Sequence, residues 1–178
     1  MKTLLQLYCY VSVVPDSESN REDAWYLPHH PVSNVNKPGK IRRVTNASSM
    51  YQGCSLNSSL LKGPDLLCNH TGLILRFREK SVALSADIEA MFMQVSVPPS
   101  DRRFLRYLWR NEVHEYNRHI FGATDSPCAA CYELRQCSED NKTAYVDAPH
   151  LVTRHIYMDD LYVSTDTLED AMKLRKNL

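Results

Sequence analysis

Two adjacent carboxylates, Asp159-Asp160, stand in Tyr157-Met158-Asp159-Asp160, with His155-Ile156 before them and Leu161-Tyr162-Val163 after. The flanks are apolar, β-branched or aromatic and the centre is short, which reads as a hairpin carrying paired acids at its tip. Asp is favoured in turns because its side chain satisfies nearby backbone groups, so an isolated Asp-Asp is compatible with an ordinary solvated turn. A third acid shifts that balance, because Ser81-Val82-Ala83-Leu84-Ser85-Ala86-Asp87 is a short apolar run ending in a carboxylate. A strand that delivers Asp87 beside the Asp159-Asp160 turn makes a three-carboxylate cluster. Hard divalent cations about 3.5–4 Å apart, held by such acids and by phosphate oxygens, are the clamp used in phosphoryl and nucleotidyl transfer.

The elements that must position these acids can be read along the chain. Residues 15 to 31 are polar, carry three prolines and read as an irregular arm anchored by Trp25-Tyr26-Leu27. Residues 31 to 46 read as two extended segments joined by a turn at Lys37-Pro38-Gly39-Lys40, with Ile41-Arg42-Arg43-Val44 leaving as the second strand. Gly63-Pro64 is a breaker, followed by Asp65-Leu66-Leu67 and the start of a helix running toward Arg78. Beyond the Asp87 strand, residues 88 to 97 are compact and apolar until Pro98-Pro99. A short helix near Ser100 to Arg103 then feeds Leu105 to Trp109, and a turn at Asn111-Glu112 reverses the chain into Val113 to Ile120. Ser126-Pro127 opens a helix as N-cap and first-turn proline, running to about Glu139. A polar loop from Asp140 to Pro149 leads to the acid hairpin. Residues 166 to 178 form an amphipathic helix with Leu168, Ala171, Met172 and Leu174 as its apolar set. This order, strand, helix, acid-tipped strand, hairpin, helix, acid-tipped hairpin, helix, is an α+β pattern with helices covering an antiparallel sheet.

A chain of 178 residues buries a core as one domain but is short for a multidomain nucleic-acid-processing enzyme. Its 21 basic and 21 acidic residues cancel, so no whole-molecule field attracts nucleic acid, although Lys37 to Arg43 and Arg102 to Arg110 are local basic stretches. The six cysteines are irregularly placed in a chain with ample apolar residues, which argues for reduced thiols. Cys128 and Cys131 have CxxC spacing without a second pair and read as buried helix residues. Residues 1 to 14 read as a first helix running into an extended segment rather than a signal peptide, and no stretch approaches the roughly 20 apolar residues of a membrane span. Sequons begin at Asn46, Asn57, Asn69 and Asn141 and matter only on the secretory route. His29, His30, His114, His119, His150 and His155 lack a ligand spacing and suit surface or hydrogen-bonded roles.

The spacing from Asp87 to Asp159-Asp160, with Phe121-Gly122-Ala123-Thr124-Asp125-Ser126-Pro127 between them, resembles the palm of a reverse transcriptase with a YMDD motif. Within that class the chain is similar to the Bel/Pao group of LTR retrotransposons. The strings that carry the likeness are Trp25-Tyr26-Leu27-Pro28-His29-His30, Lys37-Pro38-Gly39-Lys40-Ile41-Arg42, Ser55-Leu56-Asn57, Gly63-Pro64-Asp65-Leu66, Arg76-Phe77-Arg78, Ala86-Asp87-Ile88-Glu89-Ala90-Met91-Phe92 and Leu105 to Trp109. Each is weak alone; their order along nearly the whole chain is specific.

The resemblance implies a single, truncated reverse transcriptase domain of right-hand polymerase type over residues 1–178: an arm at 1–30, fingers at 31–80 and mostly palm at 81–178, with the thumb absent. It implies an RNA-directed DNA polymerase of the DNA/RNA polymerase superfamily, a nucleotidyltransferase acting on a primer 3′-hydroxyl. Asp87, Asp159 and Asp160 would be catalytic. They would hold Mg2+, with Mn2+ as the alternative, and the Ile88 carbonyl would assist. Lys40 and Arg42 would grip the incoming deoxynucleoside triphosphate, Arg as a planar fork and Lys as a mobile point charge. Phe92 would exclude a ribose 2′-hydroxyl, and Phe121 with Gly122 would line the nucleotide pocket. The implied partners are an RNA or DNA template with primer and deoxynucleoside triphosphates, with no membrane. The implied location is intracellular, in a cytoplasmic element particle or the nucleus, without secretion. Thr45, Asn46 and Asp125 depart from the family pattern. These departures and the truncation favour an alternative, a catalytically silent retroelement remnant that binds nucleic acid or protein at most.

Overall fold

The computed structural model describes residues 10–34 and 37–176, and the side chains of residues 34–40 lie outside that description, as does the expected first helix over residues 1–9. The chain divides into two compact units, each assembled from two stretches: Met1–Lys62 with Phe92–Ser126, and Gly63–Met91 with Pro127–Leu178. The units interleave along the sequence. The described strands are β1 (Val11–Val13), β2 (His29–Asn34), β3 (Lys37–Thr45), β4 (Val82–Asp87), β5 (Arg106–Trp109), β6 (Glu112–Tyr116), β7 (Ile156–Tyr157) and β8 (Asp160–Thr165). They form small antiparallel sheets accompanied by helices, a mixed α/β architecture.

In the first unit, β1, β6 and β5 make one sheet and β2 pairs with β3. Alternation along β5 and β6 places Tyr107, His114 and Tyr116 on one face, where the Arg43 guanidinium lies 4.0 Å from the Tyr107 ring centroid. Tyr107 and Tyr116 join Leu27, Leu56, Val97, Leu105 and Ile120 in the core. The opposite face carries Arg106, only 2% exposed, across from Glu115. The reversal falls at Arg110-Asn111, one residue before the expected turn, and both residues have positive φ, the pattern of a tight hairpin turn whose twist matches its strands.

The expected hairpin over residues 31 to 46 is present, but Lys37-Pro38-Gly39-Lys40 does not reverse the chain. Asn34 pairs with Lys37 and Ser33 with Ile41, which leaves residues 38–40 as a bulge on β3. Pro38 has no N–H to give the ladder and glycine tolerates the backbone of a bulge, so these breaker residues interrupt a strand rather than end it.

The second unit is built on β4-β8-β7, with Leu161 and Val163 buried. Its first helix spans His70–Phe77, beginning beyond Leu67 and running toward Arg78 as the sequence suggests. The Asp65 carboxylate accepts the Leu67 N–H at 3.0 Å, a local turn that competes with helix, whereas Asn69 caps the true start by accepting the Gly72 N–H at 2.7 Å. That helix buries Leu73 completely. The helix Ser126–Asp140 agrees with its serine-proline signal. Ala148–His155 is a helix between the expected loop, which ends at Pro149, and the hairpin; Pro149 in its first turn is compatible with helical φ, and β7 is only two residues long. The last helix is Leu168–Lys176, with Ala171 buried. The five described cysteines are free. Cys128 is packed so closely on Gly63, at φ +74, that a Cβ there would lie 2.6 Å from its sulfur. Among the described residues no helix is long and apolar enough to cross a membrane.

Candidate catalytic centre and nucleotide-facing loop

The antiparallel register of β4 and β8 sets Asp87 directly opposite Asp160, and Tyr157 of β7 opposite Asp160 on its other side. Register partners project to the same face of a sheet, so Asp87, Asp160 and Tyr157 form a row at one end of it. The ladder continues one step past β4, where the Ile88 N–H donates to the Asp159 carbonyl at 2.8 Å. Asp159 is thus the second residue of a two-residue turn whose first residue, Met158, has φ +57 while Asp159 does not have positive φ. That combination is the II′ hairpin pattern, which tightens the strand exchange and fixes where the acids emerge. Asp87 is exposed, and Asp159 and Asp160 are half-buried.

The Tyr162 hydroxyl donates to Asp160 Oδ2 at 3.0 Å, and this bond to the carboxylate is the leading cause that raises the phenol above its ordinary value. Tyr162 is itself fixed by an edge-on contact with Phe77, ring centroids 5.3 Å apart. Period-2 alternation from Asp160 to Tyr162 was a signal in the sequence for this pairing. All three acids supply oxygen donors, which suits Mg2+ or Mn2+, ions commonly held by one or two carboxylates while water and phosphate complete the shell. The donor chemistry fits such an ion, although among the described residues no three His, Cys, Asp or Glu side chains are gathered closely enough to hold a metal by themselves.

His155 Nδ1 lies 3.2 Å from the Tyr162 carbonyl, and burial, followed by neighbouring Arg76, His150 and Arg154, pushes the imidazole below its ordinary 6.5. Lowering the pH through 6.5 protonates His155 in the unfolded chain before the folded one. Stability is therefore full above 6.5 and declines as the pH falls through the folded value. Urea midpoints measured from pH 8 to 5 are expected to fall less steeply for His155→Gln than for the parent chain.

The other predicted nucleotide-binding residues lie in the first unit. Arg42 is exposed on β3, and the Lys40 side chain is outside the described residues. Phe92 meets Phe121 edge-on, with centroids 4.8 Å apart, and Phe121 remains 51% exposed. Gly122 has φ +95, and a Cβ there would lie 3.3 Å from the Thr45 carbonyl, so a side chain at this position is strained twice over. Asn57, which the sequence offered only within a short string and as a sequon, holds this loop. Its Nδ2 donates to the Gly122 carbonyl at 2.9 Å and its Oδ1 accepts the Thr124 N–H at 2.9 Å. No local pattern could have revealed partners 65 and 67 residues away. Of the three departures, Thr45 shares a hydrogen bond with the Tyr116 hydroxyl, Asn46 accepts from the Ser48 N–H, and Asp125 lies 3.9 Å from His119.

No protein-family model matches the sequence, and no curated protein matches it. Solved structures do. The native prototype foamy virus protease-reverse transcriptase aligns over 97% of this chain and 20% of its own, with 15% identity and a TM-score of 0.67. A foamy viral protease-reverse transcriptase in complex with double-stranded DNA aligns over 97% of this chain and 26% of its own, with 16% identity and a TM-score of 0.69. The foamy viral enzyme in complex with an RNA/DNA hybrid aligns over 85% and 18%, with 15% identity and a TM-score of 0.64. The chain therefore has a retroviral reverse-transcriptase-like fold and spans about a fifth to a quarter of the length of these relatives. These neighbours are foamy viral; the Bel/Pao likeness rests on the sequence strings.

Proposed function

We propose that this chain is the fingers-and-palm part of an RNA-directed DNA polymerase of a Bel/Pao-type retrotransposon, carrying out nucleotidyl transfer at Asp87, Asp159 and Asp160. The observation that carries the reading is the strand register that sets Asp87 against Asp160 beside the Asp159 turn, on a reverse-transcriptase-like fold. Asp87 and Asp159 are the proposed principal ligands of Mg2+, with Mn2+ as the substitute, the Ile88 carbonyl assisting and Asp160 completing the acidic turn. Bound there, the metal would lower the pKa of a primer 3′-hydroxyl and neutralise charge on the leaving pyrophosphate. The strands hold the carboxylates in fixed relation, and Tyr162 orients Asp160 through its hydroxyl. Lys40 and Arg42 bind the triphosphate of a deoxynucleotide, Phe92 excludes the 2′-hydroxyl, and Phe121 with Gly122 lines the nucleotide side. The partners in this reading are a primed RNA or DNA template and deoxynucleoside triphosphates, inside the cell.

A second reading, a catalytically silent element remnant that binds nucleic acid or protein, is favoured by Thr45, Asn46 and Asp125, which depart from the family pattern. Incorporation of dTTP on poly(rA) primed with oligo(dT), with Mg2+ present, separates the two. Incorporation that depends on Asp87 and Asp159 supports the polymerase; nucleic-acid binding without any acid-dependent incorporation supports the remnant.

A further inference from the structure

We propose that Asn57 is a positioning residue that sets the loop at residues 121–124 and, through the Phe121–Phe92 contact, the preference for deoxynucleotides; this rests on the polymerase reading above. The Asn57 amide is engaged at both ends. Its nitrogen donates to Ser48 Oγ at 2.8 Å and to the Gly122 carbonyl at 2.9 Å, while its oxygen accepts the Thr124 N–H at 2.9 Å. A flipped amide would point oxygen at the Gly122 carbonyl and nitrogen at the Thr124 N–H, so the network admits one orientation. Neither Asp, which cannot donate, nor Ala reproduces the pair of loop bonds.

The clamp is anchored independently of the loop. Asn57 sits in the short helix Leu56–Ser59, whose start is fixed by reciprocal bonds between Ser55 and Ser58, and its own N–H donates to the Ala47 carbonyl at 3.0 Å. The held loop contains Gly122 at φ +95, immediately after the half-exposed Phe121 that rests edge-on against Phe92 at 4.8 Å. Releasing Gly122 and Thr124 frees the backbone on the C-terminal side of Phe121, and with it the ring that supports Phe92. A sugar-discriminating wall depends on position, and displacement of about 1 Å can change rates on the order of a hundredfold.

The test uses the 178-residue chain in excess over a primed poly(rA) template, with insertion of single dTTP or UTP residues and amide hydrogen exchange at Thr124. Asn57→Ala is expected to speed Thr124 exchange by roughly five- to tenfold, the loss of about one hydrogen bond. It is also expected to raise the apparent KM for dTTP by roughly tenfold and to lower the dTTP-over-UTP preference by a similar factor. Asn57→Asp, which keeps the acceptor for Thr124, should fall between. Ser48→Ala, which removes only the bond outside the loop, should leave KM and preference unchanged. The proposal is overturned if Asn57→Ala frees the Thr124 amide while KM and preference stay at parent values, or if Ser48→Ala shifts them equally. If the parent chain inserts no dTTP, the polymerase reading falls and the proposed effect on deoxynucleotide preference falls with it, whereas unchanged exchange at Thr124 in Asn57→Ala, with incorporation intact, overturns the clamp alone.

Discussion

Asp159→Asn is expected to lower dTTP incorporation by about a thousandfold, and Asp87→Asn by a similar factor. Metal-assisted transition-state charge stabilisation supplies several kcal/mol, and each 1.36 kcal/mol is tenfold in rate. Asparagine keeps the shape of the turn and removes the charge. A fold defect is thereby separated from a chemical one, because the Ile88 N–H to Asp159 carbonyl bond uses backbone and survives the substitution. Tyr162→Phe should cost far less, since it removes one oriented hydrogen bond to Asp160 and leaves every carboxylate in place. The parent rate itself should be low. The 178 residues correspond to about a fifth of the native foamy virus relative, and catalysis of this kind depends on holding the primer within about 1 Å of its productive position. Balanced charge also gives little long-range attraction, so binding to a primed template should be weak and easily removed by salt. Robust incorporation that is insensitive to both asparagine substitutions would sink the assignment of these acids.

Arg106→Ala is expected to destabilise the first unit by about 3 kcal/mol, among the largest effects available to a single substitution outside the acids. Arg106 is 2% exposed, donates to the Glu18 carbonyl at 2.7 Å and lies 3.4 Å from Glu115, which keeps 19% exposure. Truncation leaves a cavity, a carbonyl without its donor and a carboxylate without its counterion. Arg106→Met fills much of the volume without restoring the bonds and should lose less, by the cavity part of the cost alone, because the Glu115 carboxylate still lacks its counterion. Urea midpoints followed by Trp25 and Trp109 fluorescence check this. Equal losses for Ala and Met would show that the polar partners, rather than volume, set the stability at this position.

The acids, the strand that carries Asp87, the hairpin that carries Asp159-Asp160 and the serine-proline start of the long helix were all legible in the sequence. Each of these is a local pattern: alternation, a short turn, or a cap whose partners lie within a few residues. Tyr162 beside Asp160 belongs to the same class, since residues two apart on a strand share a face. The helix at Ala148–His155 and the bulge at residues 38–40 escaped because proline and glycine carry opposite meanings in different tertiary settings. Pro149 opens a helix and Pro38 interrupts a ladder that continues beyond it, and only the surrounding strands and helices decide which. Register was decided by tertiary structure alone. Nothing within either strand specifies that Asp87 faces Asp160 rather than a neighbour one position away, and such a slip would turn the acid to the other face. The Asn57 clamp lies furthest from sequence, because its amide satisfies backbone groups 65 and 67 residues away, and hydrogen bonds of that span exist only after the chain has folded.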